Sequence, residues 1–397
     1  MAAVRRPVLL AVACAALGAA AALGIGRATG LVGGSTTETV VVREPGQAVV
    51  TPAAVRTVAA PLAASFSPSR IFAARSPGVV TIFSYVGGTG AQGSGFVVSR
   101  DGTILTNAHV ITNAGETAAG APVTAAAPVY VEFPDHDRVP ATVVGWDVFD
   151  DVGVIRVAPS AHRLVPLPLG RSSTLVVGEP VAAIGSPLGN EDSLAVGVVS
   201  AVGRSIAALT APRFQLIDAV QTDAPIAHGS SGGPLLDAAG RVIGINAQIR
   251  SDSGGPAGIG FAVPIDAARR SLHDLLATGH VAYAYAGLET EDMTPSLARR
   301  LGLRASHGAL VDGVTAGGPA ARAGVRGGSQ TLLFEGDTVR AGGDVVLAVD
   351  GVPVENADDL VRIVTNRLRP GQTALFTVLR GGSRRSIAVH LAARPSG

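Results

Sequence analysis

A glycine-rich turn with two adjacent serines stands out in this chain as a candidate for nucleophilic chemistry. It covers residues 228–234 (HGSSGGP) and lies between two β-rich runs. Glycine permits backbone conformations that other residues avoid, so such a turn can aim several N–H groups at one point beside an exposed hydroxyl. Acyl transfer needs a nucleophile and an oxyanion hole of this kind. Alone, the pattern is equally typical of an ordinary loop.

The chain also supplies a histidine and an aspartate in suitable settings. His109 closes the β-rich run 103–110 (TILTNAHV), which follows the hairpin signal Asp101-Gly102. Asp151 heads the apolar run 152–157 (VGVIRV). The order histidine, aspartate, serine along the chain is that of a chymotrypsin-type triad.

These segments resemble the three catalytic blocks of the HtrA (Deg) family of trypsin-like serine proteases. The blocks are 106–110 (TNAHV), 151–154 (DVGV) and 229–234 (GSSGGP), and the resemblance extends over about residues 76–397. Three blocks in the right order are far more specific than any one of them. The resemblance implies Ser231 as the nucleophile, His109 as the general base and Asp151 as the carboxylate that orients it.

Neighbouring residues offer alternatives to each of these assignments. Ser230 stands where the family most often has asparagine, and the glycines after Ser231 favour Ser231. His228 lies in the same loop as the serine and would point poorly toward it. Asp147 and Asp150 lie close to Asp151, but only Asp151 directly precedes the VGVI block. Position in the motif implies that the backbone N–H groups of Gly229 and Ser231 form the oxyanion hole.

The same resemblance implies the location of the pocket that receives the substrate side chain before the cut bond. Its positions carry Ile226, Ile249 and Ile259. Since no acidic residue is among them, a buried arginine or lysine would lack a partner, and three branched side chains leave little room for an aromatic ring. We expect cleavage after valine, alanine, isoleucine or leucine. The alternative is that these isoleucines belong to the protein core.

Composition excludes several other functions. The chain has 397 residues, 47% of them hydrophobic, and a formal net charge of +1. Basic residues are scattered, which argues against a nucleic-acid partner. The single cysteine, Cys14, allows no internal disulfide, and the eight histidines show no metal-binding spacing. We expect no metal and no cofactor.

An apolar segment near the N-terminus predicts a membrane anchor. Residues 7–26 are uncharged and follow Arg5-Arg6, and about 20 such residues span a bilayer as a helix. The preceding charge places the N-terminus in the cytoplasm and the remainder outside. The alternative is a cleaved signal peptide and secretion. Residues 1–28 thus form the cytoplasmic N-terminus and transmembrane helix, and 29–65 a flexible linker.

Two folded domains follow, residues 66–280 and 281–397. Between 76 and 264, short β-rich runs recur at intervals that suit a barrel or a sandwich. The resemblance implies the mainly β, chymotrypsin-like pair of six-stranded barrels. Helical periodicity predicts a helix over 265–278, ended by Gly279.

The second domain resembles the α+β PDZ domain of HtrA proteins, with a helix expected over 357–369. PDZ domains add a peptide as an extra strand and bind its C-terminal carboxylate through backbone N–H groups. The matching loop is Tyr285, Ala286, Gly287 and Leu288, where the family usually has leucine in place of Ala286. An insertion, 329–341, predicts a hairpin whose apolar side packs on the PDZ domain or contacts the protease domain or a partner.

These features together predict an ATP-independent serine endopeptidase outside the cytoplasm. It would cleave misfolded or unfolded proteins under the direction of its PDZ domain, in envelope quality control. A catalytically silent chaperone or sensor that binds unfolded clients or C-terminal peptides is the alternative. HtrA barrels commonly form trimers through aromatic residues before the first strand, and Phe66 and Phe72 occupy that segment. We therefore expect a homotrimer.

Overall fold

The computed structural model describes residues 66–114, 122–186, 193–207, 210, 215–226, 229–247 and 259–395. The predicted membrane segment and the linker lie outside these residues, so both stay predictions. Within the described residues, no helix combines the length and the apolar character that crossing a bilayer requires.

Six antiparallel strands form the first barrel. They are β1 Val79–Val86, β2 Thr89–Val97, β3 Thr103–Thr106, β4 Val129–Glu132, β5 Arg138–Asp147 and β6 Val152–Val157. They close in the order β1-β2-β3-β6-β5-β4. The predicted hairpin at Asp101-Gly102 joins β2 to β3. Gly102 has φ +93°, and a side chain there would collide with the carbonyl oxygen of Val157.

The second barrel repeats this arrangement. Its strands are β7 Pro180–Gly185, β8 Ser193–Ala207, β9 Gln215–Thr222, β10 Pro234–Leu236, β11 Val242–Ala247 and β12 Gly260–Pro264. They close in the order β10-β11-β12-β9-β8-β7. The prediction of two six-stranded barrels is therefore confirmed.

Among the described residues, three α-helices accompany the barrels. They are α1 Pro68–Arg75, α2 Ala108–Ile111 and α3 Ile265–Thr278. The last has the predicted bounds, and Gly279 ends it in the left-handed conformation at φ +78°. Its buried face, with Ile265 and Leu275, joins a core that includes residues of both barrels. Burying a side chain of this size contributes roughly 1.5–3 kcal/mol, so the shared core holds the barrels as one body.

The strands of the C-terminal domain are β13 Ala284–Tyr285, β14 Leu288–Asp292, β15 Ala309–Val314, β16 Gln330–Phe334, β17 Asp337–Ala341, β18 Val345–Val349, β19 Val352–Pro353, β20 Thr373–Arg380, β21 Ser383–His390 and β22 Ala392–Ala393. The main sheet has the order β14-β15-β18-β20-β21, in which β14 is an edge strand. Strand β19 pairs with β18, and β13 pairs with β22. Its helices are α4 Pro295–Leu301, α5 Pro319–Ala323 and α6 Ala357–Arg367. Helix α6 ends two residues before its predicted end because Pro370 follows closely.

The inserted segment forms the predicted hairpin from β16 and β17. Val339 is buried, and Leu332 and Phe334 pack with it against an apolar cluster of the PDZ domain that contains Leu297 and Leu310. Leu333, on the other face, is 73% exposed. The hairpin thus packs on the PDZ domain.

The two aromatic residues expected to mediate trimer formation precede the first barrel. Phe66 and Phe72 are half-buried, and both pack against the core of their own protease domain. This packing buries part of the surface of each ring. The homotrimer stays a prediction.

Candidate active site

His109 lies on the short helix α2 rather than at the end of strand β3. The strand ends at Thr106, Asn107 is extended, and the chain then turns into the helix. The His109 Nδ1 atom lies 2.8 Å from Asp151 Oδ2, and its backbone N–H donates to Asp151 Oδ1 at 3.1 Å. One carboxylate oxygen therefore holds the imidazole, and the other holds the backbone of the same residue. Because Nδ1–H donates to the carboxylate, Nε2 is left to accept a proton.

The environment of His109 increases its basicity. Burial lowers the pKa of the imidazole, but the charge of Asp151 and its hydrogen bond raise it by more, so the pKa is raised overall. The side chain keeps 22% of its surface exposed. An imidazole that is both basic and reachable suits general-base chemistry.

Asp151 reaches His109 from an uncommon backbone conformation. Its φ is +51°, which places it in the left-handed region at the end of the β5–β6 turn. The side-chain amide of Asn107 donates to the Asp151 carbonyl at 2.8 Å. The residue that joins strand β3 to the helix of His109 therefore also holds the backbone of the carboxylate partner.

The two other candidate aspartates face away from His109. Asp147 Oδ2 accepts hydrogen bonds from Ser271 and Tyr283, at 2.7 and 2.5 Å. Asp150 Oδ2 pairs with Arg270 at 2.8 Å. Of the three carboxylates, Asp151 is the one in contact with the imidazole, and its catalytic role stays a prediction.

The loop of Ser231 is held by hydrogen bonds from both barrels. Its carbonyl accepts from the Ser94 N–H at 2.8 Å, and the Ser94 hydroxyl donates to the Gly229 carbonyl at 2.6 Å. From the second barrel, the Asn246 carbonyl accepts from the Gly232 N–H at 2.9 Å. The structure thereby assigns a supporting task to Ser94. The sequence marked it only through its place between two glycines.

Two glycines allow the Ser231 loop and the His109 helix to meet at one seam. A side chain on Gly93 would come within 2.7 Å of the Val110 methyl groups and 3.3 Å of the Ser231 carbonyl oxygen. Gly232 has φ +89°, and a Cβ atom there would lie 2.1 Å from the Ser94 carbonyl oxygen. Since Val110 follows His109 directly, Gly93 lies between the two predicted catalytic segments.

The predicted oxyanion-hole residues lie within this fixed loop. Gly229 has φ +92°, a conformation that favours glycine. Ser231 is buried to 6% exposure. His228, the rival base, lies outside the described residues. The use of these N–H groups as an oxyanion hole stays a prediction.

The predicted substrate pocket is described only in part. A Cβ atom on Gly260 would lie 2.7 Å from Ile226 Cδ1, so Ile226 packs directly over this glycine of β12. Ile259, which precedes it, is 56% exposed. Ile249 lies outside the described residues. Ile226 and Ile259 thus border the same strand end, and their role as a pocket stays a prediction.

The predicted carboxylate-binding loop joins β13 to the edge strand β14. Gly287 has φ +74°, and its carbonyl accepts from the Thr315 N–H at 3.0 Å. The Ala286 carbonyl accepts from the Ala320 N–H at 2.9 Å. Tyr285 and Leu288 belong to the strands on either side. The loop is therefore fixed from within the PDZ domain and leads into an edge that can add a strand.

Comparison with known proteins agrees with this architecture. Residues 93–245 match the trypsin-like peptidase domain, and 285–391 match the PDZ domain. A probable periplasmic serine endoprotease, DegP-like, of Pseudomonas fulva is 37% identical over 316 residues, covering 78% of this chain and 59% of the relative. Its Halomonas elongata counterpart is 38% identical over 297 residues, covering 75% and 55%. The chain thus spans less than two thirds of these curated relatives.

Solved structures resemble the chain over nearly their full length. The HtrA-type protease AlgW with a tripeptide is 34% identical with a TM-score of 0.67, covering 83% of this chain and 98% of that one. AlgW with a decapeptide is 30% identical with a TM-score of 0.63, covering 83% and 100%. The likeness includes the paired barrels and the PDZ domain together. This chain belongs to the HtrA family of trypsin-like serine endopeptidases with a PDZ domain.

Proposed function

We propose that the protein is an ATP-independent serine endopeptidase that acts outside the cytoplasm on misfolded or unfolded proteins. The observation that carries this proposal is the bidentate contact of His109 with Asp151, at 2.8 and 3.1 Å, beside the fixed loop of Ser231. The curated relatives are named periplasmic endoproteases, which supports the location and the reaction.

The proposed reaction uses each residue for a separate step. Ser231 attacks the peptide carbonyl while His109 Nε2 takes its proton, and His109 then returns that proton to the leaving amine. Asp151 stabilises the imidazolium that forms between these steps. The Gly229 and Ser231 N–H groups bind the oxyanion, and each such donor is worth about 2.7–4 kcal/mol in the transition state.

The proposed pocket would direct the enzyme to unfolded chains. Ile226 and Ile259 offer an apolar lining without a carboxylate, which favours small aliphatic side chains before the cut bond. Such residues are mostly buried in folded proteins, so they become available when a substrate unfolds. Mass-spectrometric mapping of cuts in a denatured protein tests this. A majority of cuts after arginine, lysine or phenylalanine contradicts the pocket.

The PDZ domain is proposed to take the C-terminus of a peptide on the edge strand β14. Backbone hydrogen bonding along that edge would supply affinity, and the loop 285–288 would bind the carboxylate. The neighbouring AlgW structures contain a tripeptide or a decapeptide, which is consistent with a peptide-binding family. Calorimetric titration with short peptides, with and without C-terminal amidation, tests the carboxylate requirement.

The membrane anchor over 7–26 and the homotrimer complete the proposal. Fractionation and N-terminal sequencing of the mature protein distinguish a retained anchor from a cleaved signal peptide. Light scattering of the detergent-solubilised chain tests the trimer. A monomer at micromolar concentration contradicts it.

Two measurements on the purified full-length chain decide between an enzyme and a silent binding protein. The first is digestion of casein, and the second is covalent labelling by a fluorophosphonate probe. Both should disappear in Ser231→Ala, by about a millionfold for hydrolysis, because the nucleophile is lost while the fold is kept. Wild-type protein that neither digests casein nor takes up the probe refutes the proposal. A Ser231→Ala variant with near wild-type activity shows that the nucleophile is another residue.

A further inference from the structure

A buried polar cluster anchors the turn that ends at Asp151. Asp147 and Asp150, both on this turn, are only 3% and 6% exposed. Asp147 Oδ1 accepts from the Phe149 N–H at 3.0 Å, which closes the turn locally. Burying two carboxylates within four residues costs desolvation free energy unless each carboxylate has hydrogen-bond or ionic partners. Their partners come from distant parts of the chain.

The hydroxyl of Tyr283 lies between the two carboxylates. It is 2.5 Å from Asp147 Oδ2 and 2.8 Å from Asp150 Oδ2. Tyr283 is 3% exposed and belongs to the segment between helix α3 and strand β13. A hydroxyl has one hydrogen, so it can donate to one ionised carboxylate and accept a hydrogen bond from the other when that carboxyl group is protonated. Tyr283 therefore joins the beginning of the turn to its end.

Other charged and polar groups surround this cluster from each element packed against it. Helix α3 contributes Ser271 to Asp147 and Arg270 to Asp150. Arg270 also donates to Asn366 of α6 at 2.8 Å, and Arg394 lies 5.1 Å over the Tyr283 ring. Asp151 ends the turn and contacts His109.

The position of Asp151 depends on this turn. It follows Asp150 directly and leaves the turn with φ +51°, so a displaced Asp150 would carry the Asp151 carboxylate away from His109. Asn107 restrains only the carbonyl side of Asp151. On the N-terminal side of Asp151, the chain is restrained by the contacts of Asp150 with Arg270 and Tyr283.

We propose that Tyr283 is a positioning residue for peptide hydrolysis, because its hydroxyl joins Asp147 to Asp150 and fixes the turn that presents Asp151 to His109. This inference rests on the proposed endopeptidase function. It assigns to the segment between helix α3 and strand β13 a part in the geometry of the reaction.

The test compares Tyr283→Phe with the wild-type chain on a short chromogenic peptide. The substitution keeps the ring, which packs edge-on against Phe149 at 5.4 Å, and removes only the hydroxyl. We expect kcat to fall between about tenfold and about a hundredfold with KM unchanged, since the loss is in alignment rather than substrate binding. Tyr130→Phe, on strand β4 of the first barrel, is the matched control and should keep wild-type kcat.

Neutralising one carboxylate distinguishes positioning from packing. Without the hydroxyl, Asp147 and Asp150 face each other, and their repulsion displaces the turn. Adding Asp147→Asn to Tyr283→Phe removes that repulsion and should restore kcat to within about threefold of wild type. A defect caused by lost packing would not respond to charge.

Lowering the pH should have the same effect as this neutralisation. Burial and the neighbouring charge of Asp150 raise the pKa of Asp147 to about 6. The kcat ratio of wild type to Tyr283→Phe should therefore shrink as pH falls from about 8 to about 5.5, where Asp147 gains a proton. The titration of His109 is fitted separately for each protein, because a displaced Asp151 would also change the pKa of the imidazole.

Each outcome has one meaning. Wild-type kcat in Tyr283→Phe overturns the inference, as does a loss that neither Asp147→Asn nor low pH reduces. If Tyr283→Phe does not fold by circular dichroism, the double variant is used alone, and a folded double variant with low kcat overturns the inference. Failure of the wild-type chain to cleave any peptide instead refutes the proposed function. The two failures are therefore distinguishable.

Discussion

Asp147→Asn should make the protein more stable at neutral pH but not at acidic pH. The native pKa of Asp147 is raised from 3.8 to about 6, first by burial and then by the charge of Asp150. A carboxyl whose pKa is higher in the folded state binds its proton more tightly there. Its contribution to the free energy of unfolding is therefore complete below about pH 4 and is lost as pH rises through about 6.

The size of the effect follows from the two pKa values. The pKa of Asp147 differs by about two between the folded and the unfolded state, which changes the free energy of unfolding by at most about 3 kcal/mol. Asparagine resembles the protonated acid in shape and does not titrate. Its amide can donate to the Tyr283 and Ser271 oxygens, which accept in place of donating. The stability gained by the variant should thus grow by up to about 3 kcal/mol between about pH 4 and about pH 7.5.

Denaturant unfolding at a series of pH values measures this difference. Trp146, the only tryptophan, precedes Asp147 on strand β5 and reports the unfolding of the first barrel. Asp137→Asn, at an exposed carboxylate of the same barrel, is the matched control. If the curves of Asp147→Asn and wild type stay parallel across the range, the carboxylate pair does not hold an extra proton and the reasoning fails.

Three further predictions concern the site and its support. Asp151→Asn should lower kcat by about 10⁴-fold in peptide assays, because the wrong histidine tautomer forms; a loss below tenfold contradicts its role. Gly232→Ala should unfold or inactivate the enzyme, since its Cβ would lie 2.1 Å from the Ser94 carbonyl oxygen. Gly178→Ala, at similar φ with open space around it, is the control and should cost about 1–2 kcal/mol in a melting experiment. Gly287→Val should abolish peptide binding to the PDZ domain in calorimetry, because φ +74° is strained for a branched residue.

Local sequence signals predicted the elements well because the forces that form them are local. Helix α3 has the predicted bounds, since its apolar spacing and the stop at Gly279 are both visible in the sequence. The inserted hairpin was also predicted from its own residues. Two local expectations were wrong by a small margin. His109 lies on a short helix instead of a strand end, and α6 ends at Arg367.

Contacts between residues that are far apart in the chain could not be predicted from the sequence. Ser94 supports the Gly229 carbonyl across 135 positions, and no spacing rule connects them. The partners of the acidic turn are as remote, since Tyr283 lies 136 positions from Asp147. The tertiary fold brings such groups together.

The acidic turn shows why residue type alone could not settle the roles of its members. Asp147, Asp150 and Asp151 are the same amino acid within five positions, and all three are buried. Asp151 contacts the imidazole of His109, Asp150 pairs with Arg270, and Asp147 accepts from two hydroxyls while burial and the charge of Asp150 raise its pKa to about 6. Environment thus assigns three carboxylates to three tasks, as in acid–base enzymes generally. Asp147 and Asp150 are held by partners other than His109, and Asp151 is the one of the three that contacts the imidazole.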